Sequence, residues 1–148
     1  MNAVAWPVDR VVLRSMSSGG QRCYVYLPPS ASRDGTVLVA VHGIGRDARE
    51  QALAWRPLAR ARGWPLLAPV FEACDAPGYQ RLGWDGDGPP ADELLDATMD
   101  AVAREVGVPL DDLVLAGYSG GAQFCHRYAM AHPRRVRALI VGAAGWYT

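Results

Sequence analysis

The chain has 148 residues, half of them hydrophobic and a fifth charged, with fifteen basic residues balanced by fifteen acidic ones. That length is about one domain, that composition can bury a core, and the zero net charge gives no phosphate-tracking surface. Nucleic acid is therefore not expected as a partner. Every one of the fifteen basic residues is Arg, which removes Lys as a catalytic base or Schiff-base former. Cys23, Cys74 and Cys125 are widely spaced and form no Cys-x-x-Cys, so neither a disulfide framework nor a zinc site is expected. No metal and no cofactor is expected at all. Residues 1–10 lack a basic stretch followed by an apolar run, and the longest apolar runs are too short to span a bilayer. The expectation is a soluble, cytoplasmic protein without a membrane partner.

In chain order, the first elements are a pair of strands. Val11–Arg14 alternates weakly; Gln21–Leu27 alternates well, with Cys23, Val25 and Leu27 on one face. Ser17-Ser18-Gly19-Gly20 between them is a turn signal, so the pair is expected as a hairpin, ended by Pro28-Pro29. From there strands and helices alternate. Thr36–His42 (TVLVAVH) is a nearly continuous apolar run, the mark of a strand covered on both faces. Asp47–Arg62 reads as a helix with Ala52, Trp55, Leu58 and Ala59 facing inward and Pro57 as a point of bending or splitting. Trp64–Phe71 is a second buried strand, interrupted by Pro65 and Pro69. Glu72–Pro90 is a long loop rich in Gly, Pro and Asp. Asp92–Val106 is the clearest helix: Leu95, Met99, Val102 and Val106 form one stripe, acids fill its first turn, and Gly107 stops it. Leu113–Tyr118 is a third buried strand, Gly120–Ala131 a helix ended by Pro133, and Val136–Gly142 a fourth buried strand. Buried strands separated by helices imply an α/β fold, a mostly parallel sheet covered on both faces, with ligands at the carboxyl ends of the strands.

Gly117-Tyr118-Ser119-Gly120-Gly121 matches Gly-x-Ser-x-Gly. The bare pattern is weak, but here it falls between a buried strand and a helix, the context that confirms a nucleophile elbow. A serine on so sharp a turn needs residues without a Cβ two positions before and after it. Its hydroxyl then projects above the sheet, and the Gly120 amide lies at the positive end of the following helix, where it can stabilise an oxyanion. The competing reading is an ordinary Gly-rich strand-to-helix turn. A second motif supports the first: Thr36–His42 runs straight into His42-Gly43-Ile44-Gly45, a His-Gly start to the loop that supplies a second oxyanion donor. The Ile44 amide is the first choice of donor and Gly43 the second. His42 ends a strand, which suits a side chain that fixes the loop by hydrogen bonding better than a general base.

These features resemble the first two thirds of the α/β-hydrolase fold. The segment Gly117–Thr148 is similar to bacterial serine hydrolases of the esterase and polyhydroxybutyrate-depolymerase-like group, and Tyr79-Gln80-Arg81-Leu82-Gly83 shares that similarity with less specificity. The resemblance implies Ser119 as nucleophile, Gly120 and Ile44 as oxyanion donors, and a small-molecule carboxylic ester cleaved through an acyl-serine intermediate. Tyr118 and the Trp146-Tyr147 pair are candidates to line the substrate pocket, and core packing reads equally well for them.

In that family the triad runs serine, acid, histidine. After Ser119 the chain has no Asp or Glu, and its only later histidines, His126 and His132, lie on the helix that follows the serine. At about 1.5 Å per residue they sit roughly 10 and 20 Å along the axis from it, out of reach of the hydroxyl. Asp75, Asp85 and Asp87 lie in the long loop, but a carboxylate cannot replace the missing imidazole. The expectation is the N-terminal portion of a serine esterase, one C-terminally truncated domain over residues 1–148, nearly inactive alone. Loss of the histidine costs on the order of a millionfold in turnover. A non-catalytic half-fold that binds a partner, or pairs with a second chain, is the alternative. Val136–Val141, apolar on both faces, would then be an open edge prone to self-association.

Overall fold

The computed structural model describes residues 5–16, 21–86 and 88–145. Six strands and three helices follow in the order β1 (Val11–Ser15), β2 (Arg22–Tyr26), β3 (Thr36–Val41), α1 (Ala48–Arg62), β4 (Leu66–Pro69), α2 (Ala91–Val106), β5 (Asp112–Tyr118), α3 (Gly120–Ala131) and β6 (Val136–Gly142). A short 3-10 turn, Tyr79–Arg81, sits between β4 and α2. The expected hairpin turn at Ser17–Gly20, Asp87, and the Trp146-Tyr147 pair all lie outside the described residues.

The strands form one sheet in the order β1-β2-β4-β3-β5-β6. β1 pairs antiparallel with β2, and β2 antiparallel with β4. The rest of the sheet is parallel: β4 with β3, β3 with β5, and β5 with β6. All six residues of β3 are buried, as its unbroken apolar run requires of a central strand. Its side chains alternate between two cores. Val37, Val39 and Val41 join Leu113, Leu115, Leu95, Met99, Val102, Phe124 and Tyr128 on the side of α2 and α3. Leu38 and Ala40 join Leu66, Val114, Ala52 and Ala59 on the side of α1.

Local chemistry explains where the helices begin and end. The Asp47 carboxylate caps α1 by accepting from the Glu50 amide at 2.9 Å. Gly63, at φ 67°, ends it with amide contacts to Ala59 and Arg60. Pro57 removes one helical N–H but does not split the fifteen-residue helix. Leu95, Met99 and Val102 are buried along α2, and Gly107 stops it at φ 68°. Helix α2 is tied to the end of α3 by polar contacts. The Tyr128 hydroxyl donates to Asp96 at 2.5 Å, Arg135 pairs with Asp96 at 2.7 Å, and His132 meets Asp92 at 2.8 Å.

One strand is shorter than expected. β4 spans Leu66–Pro69 rather than Trp64–Phe71. The Trp64 amide is taken by Ala59 at the end of α1, and the Phe71 amide is taken by the His42 ring, so neither can pair in the sheet. β6, read from the sequence both as an apolar strand and as an open edge, is the sheet's edge among the described residues, with Leu139 40% and Ile140 39% exposed. Among the described residues only β5 pairs with it.

Candidate active site

Strands β3 and β5 pair in register from Thr36 opposite Asp112 to Val41 opposite Gly117. The residues that follow, His42-Gly43 and Tyr118-Ser119, therefore leave the sheet side by side at its carboxyl end. Ser119 sits at φ 53° and ψ −119°, a backbone that costs a non-glycine residue on the order of 1–3 kcal/mol. Its amide donates to Gly142 on β6 at 3.0 Å, and its carbonyl accepts from Gln123 on α3 at 3.1 Å, so both flanking elements hold the turn. The glycines around it are obligatory on steric grounds. A Cβ on Gly117 would lie 2.5 Å from the Gly121 carbonyl, and one on Gly121 would press into the Val41 and His42 carbonyl oxygens. Ser119 is half-buried, Gly120 is buried, and Tyr118 beside them is 66% exposed.

The loop after β3 passes next to the serine: a Cβ on Gly43 would lie 4.0 Å from the Ser119 Cβ. The Arg46 amide donates to the Gly43 carbonyl at 3.0 Å and closes a turn with Ile44 and Gly45 at its centre. Among the described residues the Ile44 amide makes no hydrogen bond, which leaves it available to a ligand. The Gly120 amide opens α3 and is one of the four N–H groups without an intrahelical acceptor. The loop after β3 and the start of α3 thus meet beside Ser119, each with an amide that no hydrogen bond occupies among the described residues. The Ile44 side chain is 73% exposed over this site, and its Cγ2 lies 3.2 Å from the position of a Cβ on Gly120.

His42 is fully buried, and both its ring nitrogens are occupied. Nε2 accepts from the Phe71 amide at 3.0 Å, so Nδ1 carries the proton and donates to the Gly43 carbonyl at 2.8 Å. Burial holds its pKa below the ordinary histidine value. In this state it fixes the loop and cannot take a proton from Ser119. His132 is engaged with Asp92 on α2. His126 is buried, with its pKa lowered chiefly by desolvation.

The segment 72–90 carries more structure than its composition suggests. Tyr79 and Leu82 are fully buried, and the 3-10 turn packs on α3, where Arg127 donates to the Gln80 carbonyl at 3.0 Å. Tyr79 is the residue that reading the segment as a plain loop missed. The signal was the spacing of Tyr79 and Leu82, three apart as on one face of a turn. Asp85 pairs with Arg81 at 2.5 Å. Asp75 lines an open cleft of about 380 Å³ with Arg22, Glu72 and Cys74.

The fold has counterparts among solved structures. The chain superposes on poly(aspartic acid) hydrolase-1 from Sphingomonas sp. KT-1 with a TM-score of 0.77, over 96% of this chain and 58% of that one, at 24% identity. The chain has the α/β-hydrolase fold. Other α/β-hydrolase structures agree. The poly(3-hydroxybutyrate) depolymerase LpqC from Bordetella parapertussis matches with a TM-score of 0.65 at 22% identity, over 80% of this chain and 44% of that one. EstE1, a thermostable carboxylesterase cloned from a metagenomic library, matches at 0.61 and 22%, over 94% of this chain and 48% of that one. The chain spans about half the length of these α/β-hydrolases. No family model matches the sequence, and no curated protein does.

Proposed function

We propose that the chain is the nucleophile-bearing portion of a serine hydrolase that cleaves carboxylic esters. The observation that carries this reading is the strained turn of Ser119 at the start of α3, with the loop of Gly43 and Ile44 packed against it and against Gly120. Ser119 Oγ attacks the ester carbonyl and loses its proton to a base. The oxyanion is held by the two amides, the alkoxide leaves with a proton, and water then hydrolyses the acyl-serine. Ile44 remains the first choice of donor and Gly43 the second. Tyr118, exposed beside the serine, is a candidate wall of the substrate site. The names of EstE1 and of the depolymerase are in keeping with an ester rather than another acyl substrate.

None of the three histidines activates Ser119 in this reading. His42 is locked, His132 is engaged with Asp92, and His126 lies roughly 10 Å along α3. The base and its acid partner come from outside these 148 residues, and the isolated chain reacts slowly. Fluorophosphonate labelling with and without free imidazole tests this. Ser119 should label slowly alone and roughly tenfold or more faster with excess imidazole, part of the about 10²–10⁴ a positioned base supplies. Ser119→Ala should abolish both. Fast labelling without imidazole, or none with it, overturns the reading. The thiols of Cys23, Cys74 and Cys125 are unpaired, which supports a reducing, cytoplasmic setting. Among the described residues no helix is long and apolar enough to cross a membrane.

A second reading, self-association through β6, is favoured by the exposure of Leu139 and Ile140 on that edge strand.

A further inference from the structure

The two proposed oxyanion donors belong to different elements, Ile44 to the loop after β3 and Gly120 to α3, and no shared backbone fixes their spacing. We propose that Tyr79 and Arg46 are positioning residues that set this spacing, an inference that rests on reading Ser119 as the nucleophile. The buried Tyr79 hydroxyl donates to the His42 carbonyl at 3.0 Å, at the root of the Ile44 loop. The same oxygen packs against Gly120, lying 2.8 Å from where a Cβ there would stand. One hydroxyl therefore touches the carriers of both amides. Burial pushes its pKa up, so it stays a donor.

Arg46 locks the other end of the loop. Its backbone is left-handed at φ 57°, and its amide closes the turn that presents Ile44. Its guanidinium donates to the Phe71 carbonyl and, at 3.4 Å each, to those of Ala76 and Pro77. The Arg46 Cζ also lies 5.1 Å from the centre of the Tyr79 ring, which stacks on Phe71 with centroids 5.2 Å apart. The Phe71 amide returns to the His42 ring and completes the circuit. Residues 42–46 are thus fastened to residues 71–79 at His42, at Arg46 and through Tyr79. A donor misplaced by about 1 Å costs on the order of 10²-fold in rate, so a latch that registers two donors acts directly on the reaction.

The test uses the 148-residue chain, Tyr79→Phe and Arg46→Gln, with a urea midpoint for each to establish the folded fraction. The first readout is the rate of imidazole-assisted phosphonylation of Ser119 by a fluorophosphonate. The second is the amide proton shift of Ile44 and Gly120 in the phosphonylated protein. In the wild type both amides move downfield on hydrogen bonding to the phosphoryl oxygen. In the variants the rate falls about 10- to 100-fold among folded molecules, and the Ile44 shift shrinks while that of Gly120 persists. Unchanged rate and unchanged Ile44 shift in either folded variant overturn the latch and leave the serine reading intact. If wild-type Ser119 forms no adduct even with imidazole, the serine reading fails instead. Hydrogen exchange of the Arg46 amide, which closes the turn on the Gly43 carbonyl, then decides the latch: faster exchange in the variants sustains it, and equal exchange overturns it.

Discussion

Ser119 adopts a backbone that an L-residue holds only under constraint, and the constraint comes from both sides, through Gly142 and Gln123. Beside it, His42 illustrates how burial decides a side chain's role. Its Nε2 lone pair is committed to the Phe71 amide, so protonation would set two donors against each other. Desolvation by burial holds the folded-state pKa below the unfolded value of 6.5. The stability it confers is fully present above that value and declines as pH falls toward the folded pKa, because the unfolded chain binds a proton the folded one refuses. A urea midpoint followed from pH 7.5 to 5 (about one unit above the unfolded value to well below it) should fall, and should fall less in His42→Gln. His126 is shifted in the same direction, so part of the slope remains in that variant. An equal slope in both proteins would mean that His42 is solvated. The Gly-x-Ser-x-Gly and His-Gly motifs were legible because each is a local steric demand. The partners of His42 were not, because Phe71 is 29 positions away and reaches it only after β3 and β4 have paired.

At the level of elements, the decisive contact is the crossing of α3 over the end of β3. Gly121 has no room for a side chain against the Val41 and His42 carbonyls. Gly121→Ala should push the helix away and cost about 1–3 kcal/mol or more, read as a lowered urea midpoint, with a loss of imidazole-assisted Ser119 labelling. A midpoint unchanged from wild type would mean that the helix is not seated on the strand. Periodicity placed α1, α2, α3 and β3 within a residue or two, since each follows from its own apolar spacing and caps. β4 was overestimated because its flanking amides are claimed by partners distant in sequence or by a helix end. Tyr79 was harder to place for a related reason: one Tyr79–Leu82 spacing in a Gly- and Pro-rich stretch is a short signal, and its value appears only where the loop lands on Gly120.

For the molecule as a whole, the sheet has two different margins. The β1 margin carries alternating, half-exposed residues, as suits a strand facing solvent. The β6 margin exposes Leu139 and Ile140 on a strand with near-continuous apolar character. Sedimentation velocity should show concentration-dependent association of the 148-residue chain, reduced in the Leu139→Lys/Ile140→Lys double variant. A monomer at all concentrations would rule out pairing through this edge. The sequence by itself determined the alternation of elements, the two-sided burial of β3, and the glycine spacing around Ser119, because these depend on neighbours a few residues apart. Only the tertiary structure decided the order of the strands in the sheet, that the His42 ring is held by the Phe71 amide, and that the Tyr79 hydroxyl reaches both the His42 carbonyl and Gly120. Those outcomes depend on pairings between segments tens of residues apart, whose register no local pattern encodes.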